Sequence, residues 1–202
     1  MKWGLRALLV FSGLVLAIPV WAADQSAHDE TYINLFGGST FFDTSSGRGG
    51  GTTDAGVVGL RLGRRIDAHV GVEAQVAAAF AQLQSPTHTS AANQYSAAVL
   101  GNLYAFDSPN TPYLSLGLGA SSNLFNNRVG RGSSLMGVFG VGYQYLLNDQ
   151  IGLRLGVQDQ LLFNTPTPSS ANFNDVQVTG GISYFWGGGN KSSFPVVGPA
   201  HP

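Results

Sequence analysis

The segment that ends the folded part of the chain alternates with a period of two residues, and this pattern constrains the fold more than any other. Between Asp175 and Trp186, one face is mainly apolar and the other mainly small or polar. The apolar face carries Val176, Val178, Ile182, Tyr184 and Trp186, and the other carries Asp175, Gln177, Thr179, Gly181 and Ser183. Successive side chains of a β-strand point to opposite faces of its sheet. An apolar face ending in aromatic residues is typical of a strand in a membrane-spanning barrel.

The composition agrees with such a barrel. Charged residues make up 10% of the 202 residues, whereas soluble domains carry about 25%. The hydrophobic fraction of 44% is too low for a helical membrane protein, and only every second residue of a barrel strand meets lipid. The chain has no cysteine, its four histidines lack metal-ligand spacing, and its net charge of −1 does not suggest nucleic acid. We therefore expect no metal, no cofactor and no nucleic-acid partner.

Both ends of the chain are expected to lie outside the barrel. Residues 1–22 have a positively charged start, a short apolar core and small residues at a cleavage site, as a secretory signal does. Residues 23–186 are then the barrel. Residues 187–202 are rich in Gly and Pro, and we expect a disordered tail in the periplasm.

Alternation recurs in earlier segments and predicts about eight strands, with long and short connections in turn. The long connections are expected at residues 43–53, 82–93, 123–132 and 164–174. Bacterial outer-membrane barrels have short periplasmic turns and longer external loops, and an even strand number leaves both termini in the periplasm. The predicted fold is all-β, an eight-stranded antiparallel up-and-down transmembrane β-barrel. The alternative is a soluble lipocalin-like carrier, but its surface would lack the Lys and Glu that soluble surfaces carry.

The hairpin of the second and third strands predicts a charged pair inside the barrel. Centring its turn on Asp67 places Arg61 opposite Glu73 on the polar face. The same register places Leu62 opposite Val72 on the apolar face. One register thus satisfies both faces, as a real hairpin should.

A second hairpin joins the sixth and seventh strands. Centring it on Asp149 sets Gln144 opposite Arg154 inside and Tyr143 opposite Leu155 outside. The expected polar cluster of the lumen comprises Arg61, Glu73, Gln75, Gln144 and Arg154. These residues either gate a narrow pore or form a structural salt-bridge filling. The structural role is favoured, because eight-stranded barrels have room inside only for side chains.

Polar and aromatic residues near the strand ends are expected at the membrane boundary. Arg64 and Arg65 are expected to reach water at the periplasmic rim. Asp159 lies late in its strand, at a position that alternation assigns to the outward face. We interpret it as a solvated carboxylate at the rim of the barrel, in preference to a site for a cation shared with lipopolysaccharide. The expected aromatic girdle at the periplasmic rim comprises Tyr143, Tyr145, Tyr184 and Trp186.

The last strand resembles the closing-strand signal of bacterial outer-membrane barrels, with Thr179, Gly181, Tyr184 and Trp186 in its characteristic places. That resemblance implies recognition by the barrel-assembly machinery. From residue 31 to residue 186 the pattern resembles small outer-membrane barrels of the OmpA and OprF type. It is carried by stretches such as Pro112-Tyr-Leu-Ser-Leu-Gly-Leu-Gly119 and Ile151-Gly-Leu-Arg-Leu-Gly156. No counterpart of the peptidoglycan-binding domain of that family is recognised, so no wall-anchoring role is expected.

The resemblance implies a monomer in the outer membrane, in contact with its lipids and lipopolysaccharide. We expect a structural role in envelope integrity, or a surface interaction through the external loops, without catalysis. A narrow passive channel is the alternative. A lipid A-modifying enzyme is disfavoured, because the pair His88 and Ser90 is predicted in a loop with no carboxylate nearby in the sequence.

Overall fold

The chain forms one closed barrel of eight antiparallel strands in a computed structural model that describes residues 30–42, 54–84, 89–125, 132–163 and 173–187. The strands are β1 (Glu30–Phe42), β2 (Ala55–Arg65), β3 (Val70–Gln84), β4 (Thr89–Tyr104), β5 (Thr111–Phe125), β6 (Gly132–Leu146), β7 (Ile151–Phe163) and β8 (Phe173–Gly187). Each strand pairs with its neighbours in sequence, and β8 closes the barrel against β1. The predicted fold class is confirmed. The predicted signal peptide lies outside the described residues, and so does the predicted tail apart from Gly187, which is the last residue of β8.

The closing strand has the two faces that its sequence predicts. Along β8, Ile182 and Tyr184 face outward with 62% and 47% of their surface exposed. Ser183 between them is fully buried inside. The same arrangement, with apolar residues outside and polar residues inside, is found on the other strands. Leu118 of β5, for example, is 74% exposed. Apolar side chains therefore cover the outer wall and polar ones line much of the interior. Within the described ranges, no helix is long and apolar enough to cross a membrane.

The two ends of the barrel are different. Three connections, residues 66–69, 105–110 and 147–150, lie at one end, together with the start of β1 and the end of β8. We call this the turn end, and the opposite one the loop end. At Gly187 the backbone has a φ of 81°, in the left-handed region that glycine adopts readily, as β8 ends.

Two of the turns share one geometry, built on an Asp in one and an Asn in the other. Asp67 Oδ1 accepts hydrogen bonds from the backbone N–H groups of His69 (2.7 Å) and Val70 (2.8 Å). Asn148 Oδ1 accepts the equivalent bonds from Gln150 (2.9 Å) and Ile151 (2.8 Å). In both turns the side chain holds the loop by bonding to the backbone two and three residues ahead.

This geometry corrects the register predicted for the first hairpin. The symmetric centre lies one residue after the Asx residue, which is Ala68 in the first turn and Asp149 in the second. Arg61 therefore pairs with Gln75, and Glu73 with Gly63, two residues away from the predicted register. The inward and outward faces stay the same, because a shift of two preserves side-chain parity.

The opposing residues of that hairpin change accordingly. Leu62 pairs with Ala74 and Val72 with Arg64, in place of the predicted Leu62–Val72 pair. In the second hairpin, centred as predicted, Gln144 pairs with Arg154 and Tyr143 with Leu155. The second prediction is confirmed and the first is wrong in register.

The second predicted long loop is also wrong. β3 continues to Gln84 and β4 begins at Thr89, so only residues 85–88 separate the strands. The backbone pairs up to Gln84 opposite Thr89. These strand ends were not recognised in the sequence because apolar and polar residues no longer alternate there. Backbone hydrogen bonds between the strands do not require that alternation.

The Asx turns allow a test by pH. Two backbone N–H donors hold the pKa of the exposed Asp67 carboxyl below its ordinary value. A lowered pKa stabilises the folded state above the ordinary pKa, and this stabilisation is lost as the pH falls below about 4. We expect the stability difference between the wild type and Asp67→Asn to shrink as the pH falls from 6 to about 3. Urea unfolding in micelles at each pH measures it.

Asn148 supplies the control for that test. Asn148→Asp puts a titrating group in the same geometry, so its stability relative to the wild type should fall as the pH falls. A pH-independent difference for both variants would show that these side chains do not hold the turns through their charge.

Candidate functional site in the barrel lumen

An ion pair between Arg154 and Glu73 spans the lumen in the half nearer the turn end. Arg154 Nη1 lies 2.6 Å from Glu73 Oε2, and both side chains are at least 98% buried. Arg154 belongs to β7 and Glu73 to β3, four strands apart around the eight-stranded barrel. The two residues therefore reach each other across the diameter. In an interior this narrow, one such pair occupies the centre.

Arg61 binds the same carboxylate from a third strand. Its Nε lies 3.5 Å from Glu73 Oε1 and donates to Gln75 Oε1 at 3.0 Å. Its Nη2 donates to Thr179 Oγ1 at 3.1 Å, which links β2 to the closing strand. The guanidinium also lies over the ring of Phe36, 4.0 Å from its centroid. Packing and hydrogen bonds thus fix Arg61 in one position.

Neutral side chains complete the hydrogen bonding of the carboxylate. The Tyr32 hydroxyl donates to Glu73 Oε2, and Asn102 Nδ2 donates to the same oxygen at 3.4 Å. Asn102 Oδ1 in turn accepts from the Ser115 hydroxyl at 2.6 Å. We call Arg61, Glu73 and Arg154, with the side chains that contact them, the ion layer. A buried charge is stable only when it is paired and hydrogen-bonded, and Glu73 is both.

Arg154 is held between two tyrosine rings. Its guanidinium carbon lies 4.6 Å from the ring centroid of Tyr32 and 4.5 Å from that of Tyr113. Each tyrosine lies over a glycine directly opposite it on the next strand, Tyr32 over Gly63 and Tyr113 over Gly142. A Cβ at either glycine would overlap the ring. The glycines of the lumen face therefore make room for the rings that position Arg154.

A third arginine closes the turn end. Arg65 is 5% exposed, and its guanidinium stacks on Tyr104 at 4.6 Å. It donates to four backbone carbonyls, those of Asp67 (3.2 Å), Ala68, Phe106 (3.0 Å) and Ser108 (3.3 Å). These carbonyls belong to two different turns, at residues 66–69 and 105–110. The Arg65 side chain therefore links the two turns at the turn end of the barrel. Arg65 was predicted to reach water beside Arg64, but only Arg64 faces outward.

Among the described residues, the buried polar side chains of the half nearer the loop end are neutral except for one carboxylate, Asp175. Gln94 Nε2 on β4 donates to Ser121 Oγ at 3.0 Å and to Asp175 Oδ2 on β8 at 3.3 Å. β4 and β8 are again opposite one another, so the lumen is spanned here too. The buried polar residues of this half are Thr40, Gln94, Ser121, Ser134, Gln158, Gln160, Asp175 and Gln177.

Four of the five residues predicted for the lumen cluster meet in the ion layer. Arg61, Glu73, Gln75 and Arg154 are each at most 3% exposed and are linked through the contacts above. Gln144 is also buried inside, but its hydrogen bond goes to the Pro109 carbonyl at 3.4 Å. It therefore fastens a turn to β6.

The predicted lumen cluster did not include the aromatic and amide members of the ion layer. These are Tyr32, Asn34, Asn102 and Tyr113. The alternation of the strands could have indicated them, because Tyr32 lies on the same face as Asn34 and Tyr113 on the same face as Ser115. Large rings on a face otherwise rich in glycine indicate that each ring covers a neighbouring glycine.

The outward-facing candidates lie in the apolar outer wall. Tyr143, Tyr145, Tyr184 and Trp186 are 41–49% exposed near the turn end. Tyr184 and Trp186 stack with ring centroids 6.1 Å apart. Asp159 faces outward between Phe139 and Val176 in the neighbouring strands. Thr179 and Gly181 of the predicted assembly signal lie on the lumen face of β8.

The pair His88 and Ser90 is described only in part. Ser90 lies on β4, paired with Leu83, and His88 lies outside the described residues. Within the described part of the chain, no group of three or more His, Asp or Glu residues could hold a metal ion.

An apolar outer wall, a closed strand order and a packed polar interior define an integral β-barrel membrane protein. The chain belongs to the outer membrane protein beta-barrel family, whose domain model matches residues 10–185. The predicted OmpA/OprF-type resemblance is confirmed, and the location is the outer membrane. No curated protein sequence matches the chain significantly.

Solved structures of small outer-membrane barrels have a similar fold. Neisserial surface protein A superposes with a TM-score of 0.60 at 14% identity, covering 76% of this chain and 96% of its own. Ail, the attachment invasion locus protein of Yersinia pestis, in complex with the heparin analogue sucrose octasulfate, gives 0.57 at 12% identity. That match covers 79% of this chain and 99% of Ail. At these identities the likeness concerns the fold.

Proposed function

We propose that the protein is a sealed, non-catalytic barrel that contributes to envelope integrity and presents its loop end to a surface partner. The observation that carries this proposal is the Glu73–Arg154 pair, which joins opposite walls at 2.6 Å with both side chains buried. Arg65 adds a second closure at the turn end through four carbonyl contacts. A lumen blocked at two levels suits a scaffold better than a passage.

The proposed orientation places the turn end in the periplasm and the loop end outside the cell. It rests on the rule that short turns of such barrels are periplasmic and on the position of both barrel ends, Glu30 and Gly187, at the turn end. The aromatic side chains near the turn end then lie at the inner boundary of the membrane. Export through the signal peptide and folding by the assembly machinery belong to the same proposal.

The outer wall supports a monomer surrounded by lipid. Every strand pairs on both sides, so the described barrel has no open edge for a second copy to extend. Partner choice then depends on the loops. The surface roles in the names of the two structural neighbours are only an analogy for this chain, since those matches rest on fold.

Planar bilayer recording tests the sealed lumen. The purified wild-type barrel is expected to give no discrete conductance steps, under conditions in which a general porin does. Arg154→Ala removes the side chain that spans the lumen and should permit small steps. Leu155→Ala, the next residue on β7 but facing lipid with 62% exposure, is the matched control and should stay silent.

Regular conductance steps in the wild type would contradict the sealed barrel and favour the narrow channel instead. Their loss or change of size in a Glu73→Gln variant would assign the channel to the ion layer. Release of acyl chains from lipopolysaccharide by the wild type, abolished in Ser90→Ala, would instead assign an enzyme.

A further inference from the structure

Each of the three described turns at the turn end exposes a large apolar side chain. Ile66, Phe106 and Leu147 are 53%, 58% and 54% exposed. Turns that lie in water are usually built from Gly, Pro, Asn, Asp and Ser. One exposed apolar residue on a protein surface is ordinary, but the same feature in all three turns is a pattern that requires a cause.

These residues lie at separate corners of the barrel rim. The turns join β2 to β3, β4 to β5 and β6 to β7, while β1 and β8 meet at a fourth corner. Because the eight strands follow one another around a closed barrel, neighbouring corners are two strands apart. The fourth corner carries Trp186, which is 41% exposed and lies opposite Thr31. An apolar side chain is therefore exposed at every corner of the turn end.

Two of these side chains continue the apolar outer wall. Ile66 N donates to the Val70 carbonyl and Leu147 N donates to the Ile151 carbonyl, both at 2.8 Å, so each pair lies directly opposite across its turn. Directly opposite residues of an antiparallel pair share one face of the sheet. Val70 and Ile151 face outward, with 37% and 39% of their surface exposed. The lipid-facing surface thus extends beyond the strands into the turns.

In all three turns the apolar residue is followed by an exposed Asp or Asn. The pairs are Ile66-Asp67, Phe106-Asp107 and Leu147-Asn148. The side chains thus change from apolar to acidic or amide within a single residue of chain. Such a change is expected at the boundary between the hydrocarbon of a membrane and its polar interface.

The backbone of the turns is hydrogen-bonded within the barrel. Arg65 donates to four turn carbonyls, and Tyr104 N donates to the His69 carbonyl at 2.8 Å. Phe185 N donates to the Gln150 carbonyl at 2.7 Å. A turn in water does not need these internal partners, but a turn at a membrane boundary does, because unpaired polar groups are costly where water is scarce. The turn backbone is therefore suited to contact with lipid.

We propose that Ile66, Phe106, Leu147 and Trp186 set the turn end into the lipid interface, one side chain at each corner. The apolar side chains contact the acyl chains next to the headgroups, and the Asp or Asn of each turn lies at the level of the headgroups and water. Four contacts around the rim hold the barrel at one depth and resist tilting. The proposal applies whichever side of the membrane the turn end faces, so it does not rest on the proposed function.

Nitroxide labels measure the depth of each turn, since the chain has no cysteine and a single introduced cysteine is the only labelling site. Ile66→Cys, Phe106→Cys and Leu147→Cys are prepared singly in the full chain and refolded into phosphatidylcholine vesicles. His69→Cys and Gln150→Cys, at exposed positions later in two of the same turns, are the matched controls. Electron paramagnetic resonance then compares collisions with oxygen, which enters lipid, and with a water-soluble nickel chelate present on both sides of the vesicle.

We expect the ratio of oxygen to nickel collision rates to be several-fold higher at the three apolar positions than at the two controls. Leu118→Cys, on the outer wall, supplies the value for a label in lipid. Equal ratios at the apolar positions and the controls would overturn the proposal. If the nickel chelate reached all of these turn positions freely, the apolar side chains would be open to a soluble protein partner instead.

A double variant, Ile66→Gln with Leu147→Gln, tests the anchoring itself. The two residues occupy equivalent places in turns on opposite sides of the barrel. With the label at Phe106→Cys, the double variant should raise nickel collisions, because the rim has lost two of its four apolar contacts. His69→Gln should leave them unchanged. Unchanged collisions in a double variant that still shows the heat-dependent gel shift would contradict the anchor, and the single-label depths decide the case if it does not fold.

Discussion

Glu73→Gln is expected to lower the free energy of unfolding by about 3–5 kcal/mol, the cost typical of breaking a buried ion pair by removing one partner. The variant keeps the shape of the side chain but leaves Arg61 and Arg154 without a counter-charge inside the barrel. The acceptor for the Tyr32 hydroxyl is also weakened. Urea unfolding in micelles, followed by circular dichroism and by the heat-dependent gel shift, measures the change.

Asp159→Asn is the matched control for this prediction, because it makes the same chemical change on the outer wall. Asp159 faces outward between apolar neighbours, and one of its carboxylate oxygens is buried without a partner. Neutralising it should leave the stability unchanged or raise it. Equal losses in the two variants would mean that the lumen pair has no special role.

The double variant Glu73→Gln with Arg154→Met provides a second check. It restores the wild-type layer charge of +1, since one acid and one base are removed together. The double variant should lose less unfolding free energy than the two single variants lose in total, because residues in contact are energetically coupled. Strict additivity would contradict the pairing across the lumen.

Arg65→Met is expected to lower the free energy of unfolding by about 2–4 kcal/mol, from the usual strength of hydrogen bonds made by a charged group. Methionine retains most of the packing against Tyr104 but cannot donate to the four turn carbonyls. Those carbonyls lie at the barrel mouth, where water replaces part of the loss. The turns at residues 66–69 and 105–110 should then separate, with faster amide hydrogen exchange in both.

Arg64→Met provides the control at the neighbouring position. Arg64 lies next to Arg65 on β2 but on the outward face. Its replacement should change stability by less than about 1 kcal/mol, as expected for a surface cation. If the Arg64 variant lost as much stability as the Arg65 variant, the mouth contacts would not explain the effect.

The local sequence determined which way each side chain faces. Along β8 the period of two assigned Ser183 to the lumen and Ile182 to lipid, and the exposures agree. Parity is robust because it depends only on extended backbone geometry. It placed Arg61 and Glu73 inside even though their predicted register was wrong by two residues.

Register depended on the detail of the turn. The second hairpin was centred correctly on Asp149 and the first was displaced to Asp67. The structure explains the difference. Asp67 has the same role in the first turn as Asn148 in the second, and each lies one residue before the centre of its turn. Two hairpins with the same Asx geometry could have been aligned on the Asx residue from the sequence alone.

The sequence by itself determined the alternating faces, the eight strands, the closed membrane barrel and the three charges of the ion layer, Arg61, Glu73 and Arg154. Only the tertiary structure decided that Glu73 meets Arg154, since the two residues lie on opposite strands and no local pairing connects them. The same holds for Arg65, whose partners belong to two separate turns. Local chain geometry sets the direction of a side chain, whereas contacts across a lumen depend on how many strands close the barrel and how wide it then is.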